Sequence, residues 1–195
     1  MTYGYCADYH LSIVTEPAIE PVTLDEALVQ CHANQGVEDD WFYSKISACR
    51  RDAEKYMRRA FIEQTLRITF DAWPNLPILL PRAPLISVES FKLYDTEDAE
   101  TTIGTSNLLV DNYSSPARLS INSGYSIPSV SLRELNSIII EYKAGYGTTA
   151  DVVPDEVKAA ILLQLGYLYN CRSGEEQAPI TEQWKCLLDR SKLYL

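Results

Sequence analysis

Hydrophobic positions along this 195-residue chain follow two different periods, and the change from one to the other divides it into regions. Leu24, Ala27, Leu28 and Cys31 recur at three- and four-residue steps, the spacing that keeps side chains on one face of a helix. Thr23-Leu-Asp-Glu26 ahead of them reads as a capping box, so the first helix is predicted to start there and to stop at Asn34 and Gly36. Asp39 and Asp40 open a second helix predicted to run to about Ala60. Its inward stripe is Phe42, Ile46, Cys49, Ala53, Tyr56 and Ala60, while Lys45, Arg50, Arg51, Lys55, Arg58 and Arg59 crowd the remaining surface.

From Gln64 the period becomes two: Leu66, Ile68 and Phe70 point one way, and Thr65, Arg67 and Thr69 the other. Further strands are predicted at 78–80, 86–94, 108–111, 117–121 and 137–143, punctuated by prolines. Helical spacing returns after Gly145-Tyr-Gly147. Pro154, Asp155 and Glu156 start a third helix that reaches Asn170. Val157, Ala160, Ile161, Leu165, Leu168 and Tyr169 line it, and Ala159, Leu162 and Leu163 add apolar surface elsewhere, so it is predicted to be central and buried nearly all round. Residues 180–190 form a short last helix with Trp184, Leu187 and Leu188 on one side.

These elements define an α+β fold, a small bundle of about four helices with an inserted antiparallel β subdomain. Residues 21–63 and 147–195 make the helical body and 64–146 the insertion. Residues 1–20, polar and interrupted by Pro17, are expected to lie outside the body as an N-terminal arm.

Composition is that of a folded globular chain, 46% hydrophobic and 23% charged. The net charge of −10 opposes sequence-independent nucleic-acid binding by the protein as a whole, because phosphate contacts need a basic footprint. No run of 18 apolar residues suggests a membrane span, and the first residues lack the basic start and apolar stretch of a signal peptide, so a soluble protein that stays where it is made is expected. Five scattered cysteines without CxxC spacing suggest free thiols rather than a disulfide framework or a zinc knuckle.

Chemistry is hard to place. The phosphate loop, dinucleotide fingerprint, nucleophile elbow and HExxH motif are all absent. His10 and His32 are the sole histidines, the first in the expected arm and the second beside Cys31, where successive helical side chains diverge by about 100°. No catalytic residue, cofactor or metal ligand is therefore assigned. Glu63, Asp71, Glu89, Asp95, Asp111 and Glu141 would be the raw material of a carboxylate-based hydrolase, the reading from a different class, against a solvated acidic surface. Lys45, Arg51, Lys55, Arg58 and Arg59 would serve a DNA-binding module or an inter-subunit contact, against a solvated helix face paired in part through Arg50 and Glu54.

Several stretches in order resemble the head-tail connector family of tailed bacteriophages, in the branch with a β-rich insertion. They are Leu11-Ser-Ile-Val-Thr, Glu20-Pro-Val-Thr-Leu-Asp-Glu-Ala27, the long helix from Asp39-Asp40 into Arg59-Ala-Phe-Ile-Glu-Gln-Thr-Leu-Arg67, Ile78-Leu-Leu-Pro-Arg-Ala-Pro-Leu-Ile-Ser-Val88, Ile140-Glu-Tyr-Lys-Ala-Gly-Tyr-Gly147 and Val153-Pro-Asp-Glu-Val-Lys-Ala-Ala-Ile-Leu162. Where the family often ends its second helix with glycine, this chain has Met57-Arg58, so that helix is expected to continue further. The resemblance implies a non-enzymatic adaptor subunit of the virion neck, assembled in the bacterial host cytoplasm. It implies a ring, a dodecamer, bound to the portal protein and to the next connector (stopper) or tail protein. Genomic DNA would pass through in transient contact, and the lumen would be mostly negative. A stopper or tail-completion protein is the alternative. Trp184, Leu187, Leu188, Tyr194 and Leu195 are candidate portal anchors, since aromatic and apolar groups at a terminus need cover. The competing expectation is that Trp184 and Leu188 cover the central helix of their own subunit. On the docking reading, deletion of 191–195 would leave stability unchanged and abolish attachment.

Overall fold

A computed structural model describes residues 9–171 and 181–193. The chain divides into two compact units, one from residues 1–16 and 63–145 and one from 17–62 and 146–195. The fold is α+β, as the two periods predict.

The first unit is built of antiparallel strands: β1 (Tyr9–Thr15), β2 (Gln64–Phe70), β3 (Ile78–Leu80), β4 (Leu85–Tyr94), β5 (Glu100–Ile103), β6 (Leu108–Asp111), β7 (Ala117–Ile121) and β8 (Ile138–Ala144). Among the described residues they form a five-stranded sheet in the order β1-β2-β8-β4-β5 and a three-stranded sheet in the order β3-β7-β6. The register aligns the apolar sets: Leu66 faces Tyr142, Ile68 faces Ile140 and Phe70 faces Ile138, all of them buried. A slip of one residue would turn each of these to the solvent side. Tyr142 donates its hydroxyl to the Pro81 carbonyl at 2.7 Å, joining β8 to the end of β3.

Two strands escaped the sequence pattern. β5 is short and charged, and β1 occupies the middle of the expected N-terminal arm. Most of β1 is exposed and it borrows its order from pairing with β2, so it carries weak periodicity of its own.

The second unit holds α1 (Leu24–Cys31), α2 (Asp39–Met57), α3 (Asp155–Asn170) and α4 (Glu182–Asp189). Thr23 and Glu26 form the predicted capping box: the Thr23 hydroxyl accepts from the Glu26 amide and the Glu26 carboxylate accepts from the Thr23 amide at 2.8 Å. α3 packs against α1, α2 and α4, which makes it the central helix, although Leu162, Leu163 and Leu168 are half-buried and Ala159 is exposed. Val157, Ala160, Ile161 and Leu165 meet Phe42, Ile46, Ala53 and Met57 in one core with Trp184 and Leu188 of α4. Burying a side chain of this size contributes roughly 1.5–3 kcal/mol.

α2 ends at Met57, earlier than expected. Arg58 takes the left-handed conformation, φ 57°, that a glycine would adopt more cheaply, and its amide donates to the Glu54 carbonyl. The missing glycine therefore leaves the helix no longer, because a non-glycine residue performs the same turn.

Candidate functional site

Arg50 departs most from its expected place. Rather than joining a basic solvent face it is 2% exposed, with Nε 2.8 Å from the Glu20 carboxylate and Nη1 2.9 Å from Glu54. The other Glu54 oxygen accepts from the Phe61 amide at 2.9 Å. The expected i, i+4 pair exists, but it is buried and holds the segments that lead into and out of the first two helices.

Of the remaining basic set, Arg51, Lys55 and Arg58 are exposed and Lys45 and Arg59 half-buried. Arg59 donates from Nε to the Ser191 carbonyl at 2.6 Å, and Lys45 lies 6.0 Å from the Trp41 ring. Three exposed cations, two on the last two turns of α2 and one at its cap, with Asp52 among them, make a modest positive patch rather than a groove.

The C-terminal anchors separate. Trp184 and Leu188 are fully buried in the core of their own unit, so neither offers surface to a partner, and the expectation that they dock on the portal is corrected. The reason is local: α4 is amphipathic, Thr181 caps it through the Trp184 amide, and its apolar side covers α3. Leu187 is half-buried against the same core. Tyr194 and Leu195 lie outside the described residues. Leu193 is buried, with its amide donating to the Met57 carbonyl at 3.0 Å.

The carboxylates named as hydrolase candidates are each engaged in structural contacts. Glu63 pairs with Lys143, and Glu141 with Arg67. Asp71 accepts from the Asn136 amide, and Asp95 from the Glu97 and Ala99 amides of a turn. Glu89 accepts from the Ser87 hydroxyl. Asp111 accepts from the Ser114 hydroxyl and from Arg118, which hold its carboxyl down at about 2. These are the contacts of turns and solvated sheet faces, and the lowered Asp111 is the reverse of the raised carboxyl that a general acid needs. Among the described residues no group of three histidine, cysteine or acidic side chains could hold a metal ion. A shallow depression of about 500 Å³ at the end of α1 is lined in part by Asp25, Val29, His32 and Gln35, one carboxylate and one imidazole on an open surface. No described helix is long and apolar enough to cross a membrane.

What the structure exposes instead is sheet edge. Four strands end the two sheets, and two of them are guarded. β3 has three residues bracketed by Pro77 and Pro81, and β5 carries Glu100, clamped by Lys92 and Tyr94, beside Glu97 and Asp98. β6 has no such protection, and β1 has only the bulge that its register shows between Ile13 and Thr15. Ile13 and Val14, neighbours in β1, are 42% and 45% exposed, and Leu109 and Val110, neighbours in β6, are 54% and 42% exposed. Adjacent residues of a regular strand point to opposite faces, so both faces of the β6 edge are uncovered and apolar, whereas on β1 Tyr9 and Ile13 share one side and Val14 sits at the bulge. Tyr113, just beyond β6, is also fully exposed. Sequence reading missed these positions because their signal is a strand's place in the sheet order, which local pattern does not carry.

Comparison with known proteins finds no matching protein-family model and no curated relative. Solved structures do resemble the chain. One, from the virion of a native gene transfer agent particle, aligns with a TM-score of 0.78 at 20% identity, covering 95% of this chain and 96% of that one. Another, from the neck of the empty particle computed with C6 symmetry, gives the same values, and one from the native neck computed with C12 symmetry aligns with a TM-score of 0.69. At this identity the likeness is one of fold, and it runs through nearly the whole chain.

Proposed function

We propose that this chain is a structural subunit of the neck of a tailed phage or phage-like particle, an adaptor that forms a ring beneath the portal. The observation that carries the reading is the likeness of fold to neck chains over 95% of this chain and 96% of theirs. The engagement of the candidate carboxylates in turns and ion pairs supports a scaffold over a hydrolase. Neighbours solved with sixfold and twelvefold symmetry favour a ring, with a dodecamer as the expected form. Such a ring would bind the portal on one side and a stopper or tail protein on the other, and would let DNA pass through its lumen. Arg51, Lys55 and Arg58 are candidate contacts for that DNA or for a neighbouring subunit.

The test is to mix the purified chain with portal rings and, separately, with tail components, and to image what co-sediments. A ring seated on the portal supports the adaptor. Association with tail components alone would favour the stopper or tail-completion reading, and hydrolysis of a glycan with no association would overturn the neck assignment.

A further inference from the structure

The β1 and β6 edges, both with exposed apolar side chains, differ from each other and lie on the same chain. A surface that pairs with a different surface of a second copy builds head-to-tail contacts, and such contacts close into rings when the rotation between copies allows it. We propose that the β1 edge of one copy takes the β6 edge of the next, adding a strand across the subunit junction, so that the occupant of each edge is a second copy of this chain.

Complementarity favours this pairing over the alternatives. β1 offers Tyr9, Ile13 and Val14, with no lysine, proline or glycine to repel a strand, and β6 offers Leu109 and Val110. The one charge in β6, Asp111, is already neutralised within its own subunit by Arg118. Main-chain hydrogen bonds would supply affinity, and the exposed side chains on both faces would supply the apolar area buried at the junction. β5 offers no exposed large apolar side chain, since its Ile103 is buried, and β3 is closed by its prolines. The inference rests on the ring reading above and adds the surfaces that would build the ring.

Val14→Lys and Val110→Lys place a charge on either edge at side chains that are already solvated, and far-ultraviolet circular dichroism with a melting curve verifies that both variants fold. Sedimentation velocity on the full-length chain, alone and with portal rings, reads the assembly. Each variant alone is expected to lose ring formation, with self-association weakened at least tenfold. An equimolar mixture is expected to stop at one-to-one heterodimers, because V110K keeps its β1 edge and V14K keeps its β6 edge, which gives one sound junction and no more. Rings formed by both variants would overturn the edge pairing and leave the ring reading intact. Homodimers of V110K would also overturn it, in favour of β1 pairing with itself. Failure of the unmodified chain to form any oligomer, alone or with the portal, would overturn both.

Discussion

Arg50, Glu54 and Glu20 form the group in which single side chains matter most. Glu54 is nearly inaccessible and accepts from both the Arg50 guanidinium and the Phe61 amide. Removing Glu54 takes one of two carboxylates from the buried Arg50, with Glu20 still beside it, and takes the acceptor from the Phe61 amide, a loss at the lower end of the range of about 3–5 kcal/mol that breaking a buried ion pair costs. Glu54→Ala is therefore expected to destabilise by that amount, and Glu54→Gln by less, since its amide oxygen can still accept from Phe61. Urea denaturation of the two variants checks the order. Cysteine shows the opposite use of burial. Desolvation in the core pushes the Cys49 thiol up to about 12, whereas Cys186 is exposed. Alkylation needs the thiolate, so at mildly alkaline pH Cys186 should label within the first pulse and Cys49 only after unfolding, as mass spectrometry would read. Neither result follows from the sequence alone. The i, i+4 spacing predicts the Arg50–Glu54 pair, but its burial depends on Glu20, thirty residues away, folding over it.

Among whole elements, those with a strong period of their own were legible and those defined by neighbours were not. The capping box at Thr23, the acidic starts at Asp39 and Asp155, and the strands at 78–80, 108–111 and 117–121 stand where pattern places them. β1 went unread by periodicity because its order comes from β2, although the resemblance marks Leu11–Thr15 as an extended segment, and α2 was read too long because the absence of glycine seemed to deny it a stop. Arg58 supplies that stop at the expense of a left-handed backbone. Arg58→Gly is accordingly expected to stabilise the fold by up to about 1 kcal/mol, measured as a raised denaturant midpoint with unchanged slope. The C-terminal segment makes the reverse point. Leu193 is buried and hydrogen-bonded to Met57, and Arg59 donates to Ser191, so residues 191–195 belong in part to the fold. Their deletion should lower stability by roughly 2–4 kcal/mol, combining the burial of one leucine with a lost hydrogen bond. Unchanged stability on deletion would restore the view of this segment as a separate docking tail.

For the whole molecule the decisive quantity is charge. The chain carries −10, and a twelve-membered ring would carry twelve times as much. Against this field stand Arg51, Lys55 and Arg58, the solvated remnant of a helix face that looks strongly basic in sequence but loses Arg50 to the core and Arg59 to a backbone carbonyl. Each phosphate contact gains by releasing counterions, so three cations would give a shallow salt dependence even with no opposing charge. Repulsion from the surrounding carboxylates works against that gain at the low ionic strength where binding is easiest to detect, because screening is weakest there. The isolated chain is therefore expected not to retain duplex DNA in low salt, and the triple change of Arg51, Lys55 and Arg58 to glutamate is expected to leave that result unaltered. Filter binding across a salt series is enough to decide. Tight retention that weakens steeply with salt and disappears in the triple variant would mean that the α2 patch is a true DNA site, and a lumen built for unhindered passage would then have to be abandoned.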